Sequence, residues 1–177
     1  AHVAELQALP ALLAAVKDQF DARAAAYAAQ IETESYHLMT AGGNCWAEAW
    51  YFGMCILEEM QWIRTRPVNA ADFFHGPLAI VERRFPVIMF APEGKTTPSS
   101  LDLLADLERL HADCLSITND DKVAVASPHS IAMPRMPEIL TPIPFIVPAQ
   151  LFAAYLSAAK GIDPDAPRSL SKVTKTV

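Results

Sequence analysis

The sequence predicts an α/β domain, a three-layer sandwich with a mostly parallel sheet of about five strands and helices on both faces. Three observations predict it. Short apolar runs alternate with longer segments of helical periodicity along most of the 177 residues. The turn Ala41-Gly42-Gly43-Asn44 stands between a strand candidate and a helical run, which is the opening unit of a parallel fold. Leu101, Leu104, Leu107 and Leu110 lie on one stripe of a helix that follows a continuous apolar run.

The elements follow in order. Residues 3–31 are rich in Ala and Leu and form one long helix, with Pro10 marking either a first-turn position or a break. Tyr36–Thr40 is a short strand, and Trp46–Ile63 returns to helical spacing. Pro86–Phe90 is an apolar strand, and Ser99 or Ser100 caps a helix running to about His111. Cys114–Thr118 is the next strand, ended by Asn119-Asp120-Asp121. Two short strands are expected at Val123–Ala126 and Ser130–Met133. The proline-rich run 134–148 leads into a last helix over roughly 145–160, stopped by Gly161. Beyond it, Ile162–Val177 is a polar tail with Pro164 and Pro167, expected to be extended.

Composition narrows the functional classes. Hydrophobic residues make up 52% and charged residues 19%, enough for a proper core in one domain. The net charge of −6 argues against a general nucleic-acid or anionic-membrane binder, which needs a basic face. Cys45, Cys55 and Cys114 have no metal-ligand spacing and form no disulfide framework, so they are expected as buried thiols in a reducing cytoplasm. The most apolar stretch, Ile139–Lys160, carries Pro142, Pro144, Pro148 and Gln150 and is expected as a buried helix with a kinked entry, not a membrane span. The beginning of the chain lacks a signal-peptide pattern, and the expectation is a soluble cytoplasmic protein.

Glu59 and His75 are the leading functional candidates. They stand sixteen residues apart, one near the end of a helical stretch and the other opening the next element. A carboxylate and an imidazole at neighbouring element ends can move protons near neutral pH. Taken alone, Glu59 reads as a solvated helix-end charge, and His75 before Gly76-Pro77 as a helix entry whose imidazole satisfies a backbone group. Trp46, Trp50 and Trp62 at helical spacing are expected to pack. Gly42-Gly43 could cradle a phosphate, which two glycines signal only weakly. His37, His111 and His129 have no ligand spacing, and neither a metal nor a cofactor is expected.

Three stretches in order carry a resemblance to the sugar isomerase (SIS) domain family. They are Glu59 followed by His75-Gly76-Pro77; Met136-Pro137-Glu138 through Thr141-Pro142-Ile143 to Val147-Pro148-Ala149-Gln150-Leu151; and Pro167-Arg168-Ser169-Leu170-Ser171-Lys172-Val173-Thr174. The chain resembles the C-terminal half of two-domain members, whose fold is flavodoxin-like. The resemblance implies residues 1–34 as a connecting helix, 35–160 as the SIS domain and 161–177 as a tail closing over the site. Glu-Met-Gln-Trp-Ile with Phe-Phe-His-Gly-Pro is similar to fructosamine-6-phosphate deglycases, whereas the tail is similar to the isomerase part of glucosamine-6-phosphate synthase. Ile56, Glu58 and Gly43 depart from the synthase pattern, where basic residues stand.

The resemblance implies Glu59 as the base moving a proton between C1 and C2 of an open-chain phosphosugar or Amadori compound. His75 assists ring opening, and Lys172 holds the sugar's charge or forms a Schiff base. Gly42, Gly43 and Asn44 are the candidate substrate-binding turn. In related enzymes the His reaches a neighbouring subunit's site, so a homodimer is expected. The Ser/Thr-rich phosphate loop of the N-terminal SIS half has no counterpart here; Thr96-Thr97-Pro98-Ser99-Ser100 is the nearest composition. The chain is therefore expected to lack that half. The alternatives are a glucosamine-6-phosphate synthase-type isomerase and a phosphosugar-binding module without chemistry, which usually carries a helix-turn-helix reader not visible here.

Overall fold

Five strands form one fully parallel sheet in the order β2-β1-β3-β4-β5. They are β1 (His37–Ala41), β2 (Thr65–Asn69), β3 (Pro86–Ala91), β4 (Asp113–Thr118) and β5 (His129–Ala132). The computed structural model describes residues 2–31, 37–166 and 168–169. The strand order reverses between β1 and β3, which opens a crevice at their carboxyl ends.

Alternation along the central strands sorts the helices into two layers. Ile88 and Phe90 of β3, with Leu115 and Ile117 of β4, point to one face and meet α1 (Val3–Ala28), α2 (Trp46–Tyr51) and α7 (Pro142–Lys160). Val87, Met89 and Ala91 point to the other and meet α4 (Ala70–Phe73), α5 (Thr97–Arg109) and α6 (Asp121–Ala126). The first face is the larger: Phe20, Tyr27, Phe52, Phe145 and Phe152 are all buried in it. The Tyr27 hydroxyl, buried with its ring, donates to the Asp113 carbonyl at 2.8 Å and ties α1 to β4.

The three-layer α/β expectation holds, with different membership among the short elements. Val123–Ala126, expected as a strand, lies in helix α6. Asp120 Oδ1 accepts from the N–H groups of Lys122 at 2.8 Å and Val123 at 3.4 Å, and this local cap outweighs the β-propensity of Val-Ala-Val. The fifth strand is instead β2, Thr-Arg-Pro-Val-Asn, whose polar residues and Pro67 conceal it. It lies at the sheet edge and pairs only with β1, the position where a missing N–H is tolerated.

Prolines and caps account for the other differences. Pro10 lies inside α1 without ending it. The N-cap of α5 is Thr96, and Ser100 is a buried residue of the helix. Helix α7 starts at Pro142, three residues before the expected position, because Pro142 and Pro144 fall in the first turn, where N–H groups have no helical partner. It is long and apolar enough to cross a membrane, but Phe145, Phe152 and Leu156 are buried against α1 and the sheet.

Candidate active site

The helical segment after β1 decides where Glu59 sits. Helix α2 widens into a π-helix over Phe52–Glu58 and ends as α3 (Glu59–Gln61). Trp62 stops it in the left-handed conformation, with φ of 58°. Gln61 is fully buried and donates from Nε2 to Ser157 Oγ at 2.6 Å, which anchors this end to α7. Glu58 accepts from Thr65, at 3.2 Å from the N–H and 2.8 Å from the hydroxyl. Glu59 therefore stands exposed and makes no hydrogen bond or ion pair among the described residues. It lines a cleft of about 740 Å³ with Glu58, Trp62, Arg64, Thr65 and Arg168.

His75 is not in that cleft. It follows α4, exposed, with its N–H bonded to the Asp72 carbonyl at 3.0 Å. Strand β2 begins at Thr65 beside the Glu59 cleft and ends at Asn69, where α4 and then His75 follow. Its five residues span roughly 13 Å at about 3.3 Å per step. Glu59 and His75 thus flank opposite ends of edge strand β2 in one chain, not neighbouring ends as the spacing suggested.

Gly42, Gly43 and Asn44 lie at the carboxyl end of β1, in the crevice where the strand order reverses. A side chain of the protein itself fills this crevice. A Cβ on Gly43 would lie 2.9 Å from Glu138 Oε1, and one on Gly94 would lie 2.5 Å from Glu138 Oε2. Asn44 Nδ2 donates to the Glu138 carbonyl at 3.0 Å, holding that segment in place. The glycines make room for a carboxylate, whose charge opposes a phosphate at the same spot.

Lys172 lies outside the described residues. The tail nevertheless reaches the Glu59 cleft, because Arg168 places its guanidinium 4.4 Å from the centre of the Trp62 ring. Trp46, Trp50 and Trp62 are 36%, 49% and 40% exposed, so the expected packing role is corrected: the apolar positions of that helix are filled by Ala49, Phe52, Ile56 and Leu57. Cys45 and Cys114 are buried thiols. Burial pushes both up to about 12, against the hydrogen bonds from Thr141 and Ser116 respectively. Among the described residues no three His, Cys, Asp or Glu side chains converge on a metal-sized site.

Gln61, Arg64, Glu138 and Arg168 escaped the sequence as individual site residues. Glu138 and Arg168 belong to the second and third motif stretches, so their order was visible and their partners were not.

Known proteins place the chain. The SIS domain family model matches residues 51–160. The glutamine–fructose-6-phosphate aminotransferase (isomerizing) of Pyrococcus horikoshii is 35% identical over 120 residues, covering 68% of this chain and 20% of that protein. The Escherichia coli protein of the same name is 30% identical over 169 residues, 94% of this chain and 27% of that protein. The C-terminal domain of glucosamine-fructose-6-phosphate aminotransferase from Francisella tularensis superimposes with a TM-score of 0.74 at 18% identity, covering 90% of this chain and 45% of that one. The chain thus spans about a fifth to a quarter of these curated relatives. With the family model matched over more than half of its length, the chain belongs to the SIS domain family.

Proposed function

We propose that this chain is the C-terminal SIS half of a phosphosugar enzyme whose Glu59 moves a proton between C1 and C2 of an open-chain substrate, most specifically a fructosamine-6-phosphate deglycase. The observation that carries it is Glu59 itself, an exposed carboxylate without a hydrogen bond or ion pair among the described residues, in a cleft that the tail also reaches. In this reading Glu59 takes the C1 proton of the Amadori compound and returns it to C2. The C1–nitrogen bond becomes an imine, which water hydrolyses to glucose 6-phosphate and the free amine. Residues 1–34 connect to the preceding half, 35–160 form the domain, and 161–177 bring Lys172 over the substrate.

His75 serves the site of a second copy in this proposal. Its place beyond the far end of β2 from Glu59 supports that assignment, and a homodimer is then needed for turnover. Gly43 and Asn44 hold Glu138, Gly42 lies against Thr96, and the sugar phosphate is bound by the preceding half. The relatives named above favour a second reading, a ketose/aldose isomerase forming glucosamine 6-phosphate.

The test uses the whole enzyme carrying this domain. Release of amine from a fructosyl-amino-acid 6-phosphate supports the deglycase, whereas formation of hexosamine phosphate from fructose 6-phosphate with ammonia or glutamine supports the isomerase. Glu59→Gln lowers kcat by about a hundredfold or more with KM little changed, the signature of a lost proton carrier. A variant that keeps wild-type kcat removes Glu59 from the chemistry. Mixed with His75→Asn, Glu59→Gln regains part of the activity if sites are shared between copies. A phosphosugar-binding module would bind sugar phosphate in both forms and turn over in neither.

A further inference from the structure

The Glu59 cleft contains more charge than the proton transfer uses. Arg64, the residue before β2, and Arg168 of the tail both line it, so two arginines from distant segments meet at one cavity. Glu58 and Glu59 line the same cavity, yet among the described residues neither arginine comes within 4 Å of a carboxylate. Arg84, Arg109 and Arg135 do form ion pairs, with Asp113, with Asp106, and with Glu93 and Asp121. Glu58 is held by Thr65 and is not free to turn towards them.

Trp62 explains how Arg168 is held. A bulky residue in the left-handed conformation is strained by about 1–3 kcal/mol and persists where its surroundings demand it. Here that conformation ends α3 and places a part-exposed indole in the cleft, 4.4 Å from the Arg168 guanidinium. Contact through a ring face positions a guanidinium without consuming its N–H donors, which stay available to an oxyanion. On a chain of net charge −6, the two arginines balance Glu58 and Glu59, so the charged lining of this cleft is even.

We propose that Arg64 and Arg168 form an oxyanion seat in the Glu59 cleft, with Trp62 as its backing, which takes a phosphate or carboxylate group of the ligand on which Glu59 acts. This deepens the proposed function and rests on that cleft facing the substrate. An anionic group fixed there orients the reacting carbons towards Glu59. In a deglycase substrate whose sugar phosphate is held by the preceding half, the group is the carboxylate of the amino acid; if the seat instead selects phosphate, the sugar phosphate is held here and not by that half.

The test is binding, independent of turnover. The 15N-labelled chain is titrated with inorganic phosphate and, separately, with N-acetylglycine, following the arginine Nε–H and tryptophan indole signals. Saturable shifts of Arg64, Arg168 and Trp62 are expected, weakened about tenfold or more in Arg64→Gln and in Arg168→Gln. Tighter binding of phosphate assigns the seat to a phosphate, and tighter binding of N-acetylglycine assigns it to a carboxylate. Both arginines are exposed, and thermal melts confirm that the variants stay folded. Absence of shifts with either ion, or equal binding by wild type and both folded variants, overturns the seat. Loss of turnover in Glu59→Gln is a separate result, so either proposal can fail while the other stands.

Discussion

Replacing Ser157 by Ala tests what holds the helix end that carries Glu59 in place. Gln61 is 0% exposed and Ser157 is 2% exposed, and the bond from Gln61 Nε2 to Ser157 Oγ is the side-chain hydrogen bond joining the last turn before Trp62 to α7. Gln61 Oε1 is already buried with no partner among the described residues. Removing the serine hydroxyl leaves the whole amide without one. An orphaned buried donor costs about 1–3 kcal/mol. In a domain of this size each kcal/mol lowers Tm by about 2–4 °C, so Ser157→Ala melts roughly 2–12 °C below wild type. The double variant Gln61→Met/Ser157→Ala removes both polar partners at similar volume and recovers most of that loss, because only an unpaired polar group is expensive. Melting followed by circular dichroism on the four proteins of the cycle measures this. A single variant that melts with wild type refutes the reasoning, as does a double variant less stable than Ser157→Ala.

Three further outcomes are expected. Burial pushes the Asp120 carboxyl up, but hydrogen bonds from the Lys122 N–H, the Thr97 hydroxyl and the Val123 N–H outweigh it and leave the pKa below its ordinary 3.8. A folded pKa below the unfolded one adds stability above the unfolded value and loses it as pH falls through the folded value. Asp120→Asn should therefore lie below wild type in urea midpoint at neutral pH and converge on it as pH falls through the lowered carboxyl pKa, and a gap that stays constant contradicts the assignment. Gly94→Ala should destabilise the wild type by driving Glu138 from the crevice, and become nearly neutral in a Glu138→Ala background, since the three nearest atoms to its Cβ all belong to Glu138. Gly43→Ala, at φ of 57°, should keep a loss of about 1–2 kcal/mol in both backgrounds, and equal relief at both glycines would disprove the distinction. Cys45 and Cys114, with thiols raised to about 12, should resist iodoacetamide in the native protein and react after unfolding, read by mass.

The elements legible in the sequence are those whose signal is local or repeated. Strands β3 and β4 announce themselves as apolar runs because central strands of a parallel sheet are covered on both faces. Helices α1 and α7 persist because both have alanine-rich, apolar stretches, long enough to absorb internal prolines. Edge strand β2 is hidden because pairing on one side leaves it free to carry Arg66, Pro67 and Asn69. At α6 the valines signal a strand, and the Asp120 side chain decides otherwise.

The same division runs through the site. Motif order singled out Glu59 and His75, since residue type and spacing are properties of the chain. Which groups meet is a property of the sheet. Helix α2 runs back from the carboxyl edge and β2 crosses it again, so sixteen residues carry Glu59 and His75 to opposite sides. Spacing along the chain cannot encode contacts that close between distant segments. Arg168 on Trp62, Ser157 on Gln61 and Glu138 in the glycine crevice arise only when the tail and α7 pack onto the sheet, and tertiary structure alone decides them.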